Sequence, residues 1–280
     1  MSEKTLFIEL FQPFAQYRNP FTFYYAQTYP LPPKSTIIGM LQNALNDWYG
    51  NGRGLDIWWN LKVSIHGGFE SVFWNYQQLI KGTKDGINLV RFEGRPILWN
   101  QDRPLYYYPI KSQRTPVYQQ ELFNGWLYLF LRGPIDLLED IKQALLSPNK
   151  VLSLGRSEDV IFVRRTEFVE PTKQYKAKGV IFAYPTYIRL PNELLRIERF
   201  PAYFIPIKVV FRNNGKPVKH KAEISSNTER DVEFESVLYA GVGYVAKLTE
   251  KVWVERFDIN ELLNVNDLKP FKILSDYGWL

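Results

Sequence analysis

Apolar positions fall into two kinds of run along this chain. Leu6, Ile8 and Leu10 interleave with Phe7 and Phe11, so both faces of this segment are apolar, and residues 126–131 repeat the pattern. Strands of this kind lie inside a sheet with both faces covered. Leu61, Val63 and Ile65 alternate instead with Lys62, Ser64 and His66, which predicts a half-exposed strand. Two stretches have helical spacing. Ile37, Leu41, Leu45 and Trp48 follow Ser35, a residue suited to N-capping, and this helix is expected to run to about Tyr49, before Gly50-Asn51-Gly52. Ile135, Leu138, Ile141 and Leu145 share one face of a second helix, opened by Gly133-Pro134. Val151 to Leu154 reads as a further strand. The order is β-α-β, a long excursion, then β-α-β. That is an α+β unit of ferredoxin-like (RRM-like, βαββαβ) type, whose first and third strands are central. Those two are the strands that read as apolar on both faces.

After Thr166 only strands are expected. Tyr203, Ile205, Ile207, Val209 and Phe211 alternate up to Asn213-Asn214-Gly215, and Val218, His220, Ala222 and Ile224 alternate back, a hairpin signature. Residues 232–239 and 251–257 add two strands, with Gly241-Val242-Gly243 as a turn between them. The expected organisation is a unit over 1–169 with an insertion at about 67–124, and a β-rich C-terminal region over 170–280 packed on it.

Composition narrows the chemistry. The 280 residues are 45% hydrophobic and 16% aromatic, enough for a sizeable core, and eight Trp, 18 Tyr and 19 Phe exceed what that core needs. Some rings are therefore expected at a surface or subunit contact. The lack of cysteine excludes disulfides, thiolate metal sites and cysteine nucleophiles, and two histidines, His66 and His220, make a poor zinc site. No metal or cofactor is expected. With no signal peptide in view and no apolar run near the ~20 residues of a bilayer span, a cytoplasmic protein without membrane contact is expected.

The net charge of +6 is unevenly spread. Residues 164–219 hold twelve Lys or Arg against four acids, and residues 81–114 hold seven against three. Two basic zones in an otherwise acidic chain suggest a polyanion track. The excursion 67–124 is too long to lack structure of its own. Phe92, Trp99, Tyr106, Tyr107, Tyr108 and Tyr118 interleave there with Arg91, Arg95, Arg103, Lys111 and Arg114. Rings beside cations suit a projecting hairpin that meets nucleic acid; the alternative is a hairpin packed on a neighbouring subunit. RNA-recognition domains of this topology stack bases on an open sheet face. Here the third strand lacks their R-G-F-G-F-V signature, so that face is expected to be covered by the C-terminal half, with RNA bound elsewhere.

Two motifs give the track a place. In Y-P-L-P-P-K-S-T-I-I-G-M-L, residues 29–41, prolines hold the chain extended up to a helix whose start gathers Lys34, Ser35, Thr36 and free amides, a setting for a phosphate. In V-L-S-L-G-R-S-E-D-V, residues 151–160, a short apolar run breaks at Gly155-Arg156. With Arg18 and the T-Y-P-L-P-P of residues 28–33, these segments resemble the fifth family of CRISPR-associated (Cas) proteins, in the RAMP superfamily. The likeness covers roughly the first 165 residues.

The resemblance implies a non-catalytic RNA-binding subunit that caps the 5′ handle of a CRISPR RNA (crRNA) in a type I surveillance complex, Cascade. It would join the backbone subunits to the large subunit and meet target DNA only through the complex. Arg18, Lys34, Ser35 and Thr36 would grip handle phosphates, Arg156 would meet the same segment, and Arg103, Lys111 and Arg114 would act from the thumb-like hairpin. The other reading is a metal-independent endoribonuclease that processes CRISPR precursor RNA. That branch of the family uses a tyrosine and an adjacent lysine and histidine after the thumb, where residues 111–121 here hold no histidine. A sugar-binding β-protein fits less well, because the rings sit beside Arg and Lys. Nucleotide-binding P-loop, Rossmann and serine-elbow motifs are absent.

Overall fold

The computed structural model describes residues 3–22, 25–81, 91–92, 95–96, 113–189, 200–225, 227–243, 245–263 and 265–280. Along the chain, β1 (Glu3–Ala15) is followed by a two-residue β2 (Tyr25–Ala26), α1 (Lys34–Ala44), a short α2 (Leu55–Trp59) and β3 (Lys62–Lys81). The short β4 (Arg91–Phe92) and β5 (Arg95–Pro96) precede β6 (Gln113–Pro134), α3 (Ile135–Leu146) and β7 (Phe162–Val169). The C-terminal half adds β8 (Lys173–Ile181), β9 (Thr186–Ile188), β10 (Ala202–Asn213), β11 (Lys216–Pro217), β12 (Glu229–Ala240), β13 (Val245–Phe257), α4 (Ile259–Leu263) and β14 (Phe271–Leu274).

The result is a mixed α+β fold built on antiparallel strands. β3, β6, β1 and β7 are neighbours in that order, each pairing antiparallel. α1 and α3 lie on one face of these strands. Leu6, Ile8 and Leu10 of β1 and Leu127, Leu129 and Leu131 of β6 pack there with Ile37, Leu41, Leu138 and Ile141. The opposite face carries Phe7, Tyr128 and Phe130, which pack with Phe257, Phe271 and Trp279 from the C-terminal half. Burial on both sides explains why β1 and β6 show no alternation. Each fully buried Leu or Phe contributes about 1.5–3 kcal/mol. A clamp fixes the cover: Arg132 reaches Glu255 at 2.7 Å and lies 4.1 Å from the ring centre of Trp279.

Beyond β3 the same sheet continues through β9, β12, β10 and β11, with His66–Thr186 as the joining rung. β8, β13 and β14 form a separate three-stranded sheet. β3 and β6 pair without interruption by another strand out to Lys81–Gln113, well past the last rung with β1 at Ala15–Leu122. At about 3.4 Å per residue the stretch from Phe73 to Lys81 extends about 30 Å, and among the described residues only β2 pairs beside this part of the hairpin, on β6.

Five local expectations change. The strand expected to be half-exposed at 61–66 is buried on both faces from Val63 to His66, because Phe130 and Phe271 pack against His66. α1 starts at Lys34 with Pro33, not Ser35, as its N-cap, because the prolines keep φ and ψ extended up to that residue. It ends at Ala44 rather than near Tyr49, since Asn46 turns left-handed and Asp47 binds the Trp58 indole at 2.7 Å. The strand expected at 151–154 is a loop closed by a Ser153–Val160 bridge, and β7 is the strand beside β1. In the C-terminal region β10 has β12 as its long partner. The return arm expected at 218–224 forms only β11, because Val218 turns in against Leu55 and Phe211 and residues 221–223 coil into a 3₁₀ turn.

Candidate nucleic-acid interface

The prolines before α1 set up its start, where Pro33 and Lys34 are buried and Ser35 and Thr36 are half-buried. The carbonyl of Pro33 accepts from the amides of Thr36 at 3.0 Å and Ile37 at 3.2 Å, and no side chain caps the first turn. The amides of Lys34 and Ser35 therefore have no helical acceptor. Facing them is the loop 153–156. Gly155 has φ of +109°, and a Cβ there would lie 2.8 Å from the Gln16 carbonyl oxygen and 2.9 Å from Asp159 Oδ2. Only glycine fits so tight a corner. The loop is tied to β1: Gln12 Nε2 donates to the Leu154 carbonyl at 2.7 Å, and Asp159 Oδ2 accepts from the Gln16 amide at 2.9 Å.

The two corners meet in a groove of about 340 Å³ whose lining includes Ser35, Thr36, Asn43, Trp48, Gly155 and Arg230. Gly39 lies in the same wall, with open space where a side chain would be. The groove thus offers the hydroxyls of Ser35, Thr36 and Ser153, a helix start, an exposed indole and a cation. Arg230 is exposed and makes no ion pair among the described residues. Its neighbour Asp231 is held by Arg212 at 3.1 Å.

The expected site residues separate into three groups. Ser35 and Thr36 line the groove. Arg18 is exposed, bridged to Thr28 through backbone alone. Lys34 and Arg156 are placed otherwise than the sequence suggests. Lys34 is buried with its ammonium donating to the Trp59 carbonyl at 3.0 Å, and burial, helped by Arg189, brings its pKa down to about 8. The Arg156 guanidinium spans Glu121 and Asp159, both at 2.8 Å. Burial opposes its charge, but the hydrogen bonds it donates to these carboxylates outweigh that and raise its pKa. Arg103 and Lys111 lie outside the described residues, as does the side chain of Arg114, whose backbone pairs with Ile80.

Arg230 was hidden in the sequence because it stands between Glu229 and Asp231, where local charge averages out. Only the β10–β12 pairing brings it to α1. The histidines stand apart from the groove. His66 is 2% exposed, its Nε2 is 3.1 Å from Ser64 Oγ, and burial lowers its pKa to about 3. His220 is exposed beside Gly54. Near the root of the long hairpin, Tyr25, Trp74, Tyr76 and Tyr118 form an exposed ring cluster with centroids 5.3–6.4 Å apart. No group of metal-ligating side chains occurs among the described residues, and no helix among them is long and apolar enough to cross a membrane.

A model of the family described as "CRISPR-associated protein (Cas_Cas5)" matches residues 5–237. The chain belongs to this family. Among solved structures, this Cas5-family chain is similar to one titled "CRISPR RNA-guided surveillance complex", with 15% identity, TM-score 0.44, and 85% of this chain and 94% of that chain covered. It is also similar to "Crystal structure of Cas protein", with 18% identity, TM-score 0.40 and coverage of 84% and 95%. A third is a chain of a type III-B Cmr-beta assembly, with 14% identity, TM-score 0.43 and coverage of 95% and 90%. No curated protein matches the Cas5-family chain.

Proposed function

We propose that this Cas5-family chain is the non-catalytic RNA-binding subunit that caps the crRNA 5′ handle in a type I Cascade complex. One observation carries the reading: the helix start of α1 and the Gly155 corner, distant in sequence, share one groove with an uncompensated arginine. Free amides and hydroxyls at a helix start bind phosphate oxygens, the dipole favours negative charge, and glycine lets a sugar-phosphate chain approach closely. Ser35, Thr36 and Arg230 hold phosphates in this reading, and Trp48 offers a ring to a base. Arg18 contacts the strand as it leaves, and the hairpin of β3 and β6 acts as the thumb, for which Arg103, Lys111 and Arg114 are the proposed RNA-contacting cations. Arg156 acts indirectly by fixing the 153–159 loop, and Lys34, buried under α1, supports the fold and not the RNA contact.

The frame belongs to the same proposal. The order β7-β1-β6-β3 with α1 and α3 on one face supports a ferredoxin-like unit over 1–169, on which a β-rich region over 170–280 packs. The backbone subunits, the large subunit and, through them, target DNA are the partners of this reading.

The test is binding of a repeat-derived handle RNA across a salt series. Arg230→Ala is expected to weaken binding and to lower the slope of log K against log salt by about 0.7, one phosphate contact on a single strand. An unchanged slope removes Arg230 from the site. The same RNA incubated with the chain in EDTA is expected to stay intact; specific cleavage would overturn the non-catalytic assignment.

A further inference from the structure

The sheet face opposite α1 and α3 changes character along its length. Its first part is sealed, with Phe7 and Phe130 beneath Phe257 and Phe271. On the next rung Glu9 pairs with Tyr128 on one side and Arg165 on the other. Arg165 neutralises both Glu9, at 3.1 Å, and Asp267 of the covering half. One rung further the cover ends. There Phe11 pairs with Trp126 and with Phe162, and Trp126 pairs with Gly68. A single transverse row thus crosses β3, β6, β1 and β7. Ring centroids are 5.2 Å apart for Phe11 and Trp126 and 6.2 Å for Phe11 and Phe162. Trp126 is 38% exposed and Phe162 50%. Gly68 leaves the flank of Trp126 open, since a Cβ there would meet only Pro185, at 3.8 Å.

Arg164 stands over this row. The β1–β7 register slips between Glu9 and Leu10, which makes Arg164 the extra residue of a bulge. Bulges re-aim side chains, and this guanidinium lies 5.8 Å from the ring centres of both Phe11 and Trp126. It is exposed and makes no ion pair among the described residues, attracting Glu9 only at longer range, whereas its neighbour Arg165 pairs with two carboxylates.

We infer that the row Phe11, Trp126 and Phe162 is a stacking shelf for bases of single-stranded RNA, separate from the α1 groove, with Arg164 meeting a backbone phosphate. Rings on adjacent strands stand about 4.8 Å apart at their backbones and are tilted by 46° and 31° to one another, a spacing that suits successive unpaired bases. Such stacking tolerates any base, because every base has a π face. The charge on Arg164 decides between occupants. A protein docked on these rings would have to supply a carboxylate to it, while a single strand supplies a phosphate with every base. The inference rests on the RNA-binding reading above and adds a second contact surface to it.

The experiment uses the full chain and a fluorescent, mixed-sequence single-stranded RNA of about ten nucleotides carrying 4-thiouridine. Trp126→Leu and Phe162→Leu are each expected to weaken binding about five-fold or more. Arg164→Gln is expected to lower the salt slope by about 0.7. All three variants should melt close to the wild type, because the side chains are exposed, and crosslinks should map to Trp126 or Phe162. If Arg230→Ala weakens binding while the shelf variants bind as wild type, the shelf is overturned and the groove stands. Weak shelf variants beside a silent Arg230→Ala support the shelf and remove the groove. Wild-type RNA affinity in shelf variants that no longer join a larger protein assembly overturns the shelf in favour of a protein contact. Absence of binding and of crosslinks in the wild type overturns it outright.

Discussion

Arg156, Lys34 and His66 show what burial does to a charged or titratable side chain that looks functional in one dimension. Asp159 is fully buried and Glu121 nearly so, and Arg156 is the cation that pairs with both inside the fold. Arg156→Met would leave them unpaired and is expected to cost roughly 3 kcal/mol in denaturant melts, and Arg156→Lys should not restore it, because the fork geometry is lost. Lys34 has a folded pKa of about 8 against an unfolded value near 10.5. Between those values the unfolded chain binds more protons, so stability rises with pH from about 8 to 10.5. Lys34→Met should flatten that rise while leaving RNA affinity unchanged; a loss of RNA affinity without a change in melting would return Lys34 to the interface. His66, with a folded pKa of about 3, is neutral when buried. Below about pH 6.5 the unfolded state gains a proton that the folded state refuses, so stability falls with acidification. Thermal melts at pH 7 and pH 5 should show His66→Phe losing less on acidification than the wild type.

At the scale of elements, what was legible in the sequence is what periodicity and burial dictate. The two-sided apolar runs at 6–11 and 126–131 are β1 and β6, and α1 and α3 follow their apolar stripes, α1 only as far as Ala44. Less legible was anything set by pairing between distant segments. β7 carries Arg164 and Arg165 in its middle and shows no clean alternation, because one arginine is a bulge residue and the other answers acids on β1 and on the C-terminal half. Residues 151–154 read as a strand because Val151, Leu152 and Leu154 are apolar, yet Gly155 and the Asp159 hydrogen bonds bend the chain back into a loop. Gly155→Ala tests this corner. It forces a Cβ into the Gln16 carbonyl and strains φ, so melting is expected to shift by the equivalent of about 1–3 kcal/mol. A silent Gly155→Ala would show that the corner is not tightly held.

At the scale of the whole molecule, two surfaces lie on opposite sides of one sheet. The groove on the helical side joins α1, the Gly155 loop and β12. The shelf on the other side begins where the C-terminal cover stops, at the rung after Glu9 and Tyr128. The expectation that this face is closed held for the Phe7 and Phe130 end and not for the Phe11 and Trp126 end, since chain periodicity carries no information on how far a distant region reaches. Arg230 was missed for a related reason: its neighbours in sequence cancel its charge, and its neighbours in space do not. The central claim is that unpartnered amides at the start of α1 and the Gly155 corner hold RNA phosphates. Amide hydrogen exchange of the full chain, with and without handle RNA, tests it most directly. Slowed exchange in residues 34–36 and 153–156, together with β12 around Arg230, is the predicted result. Unchanged exchange in all three segments while the RNA is bound would contradict it.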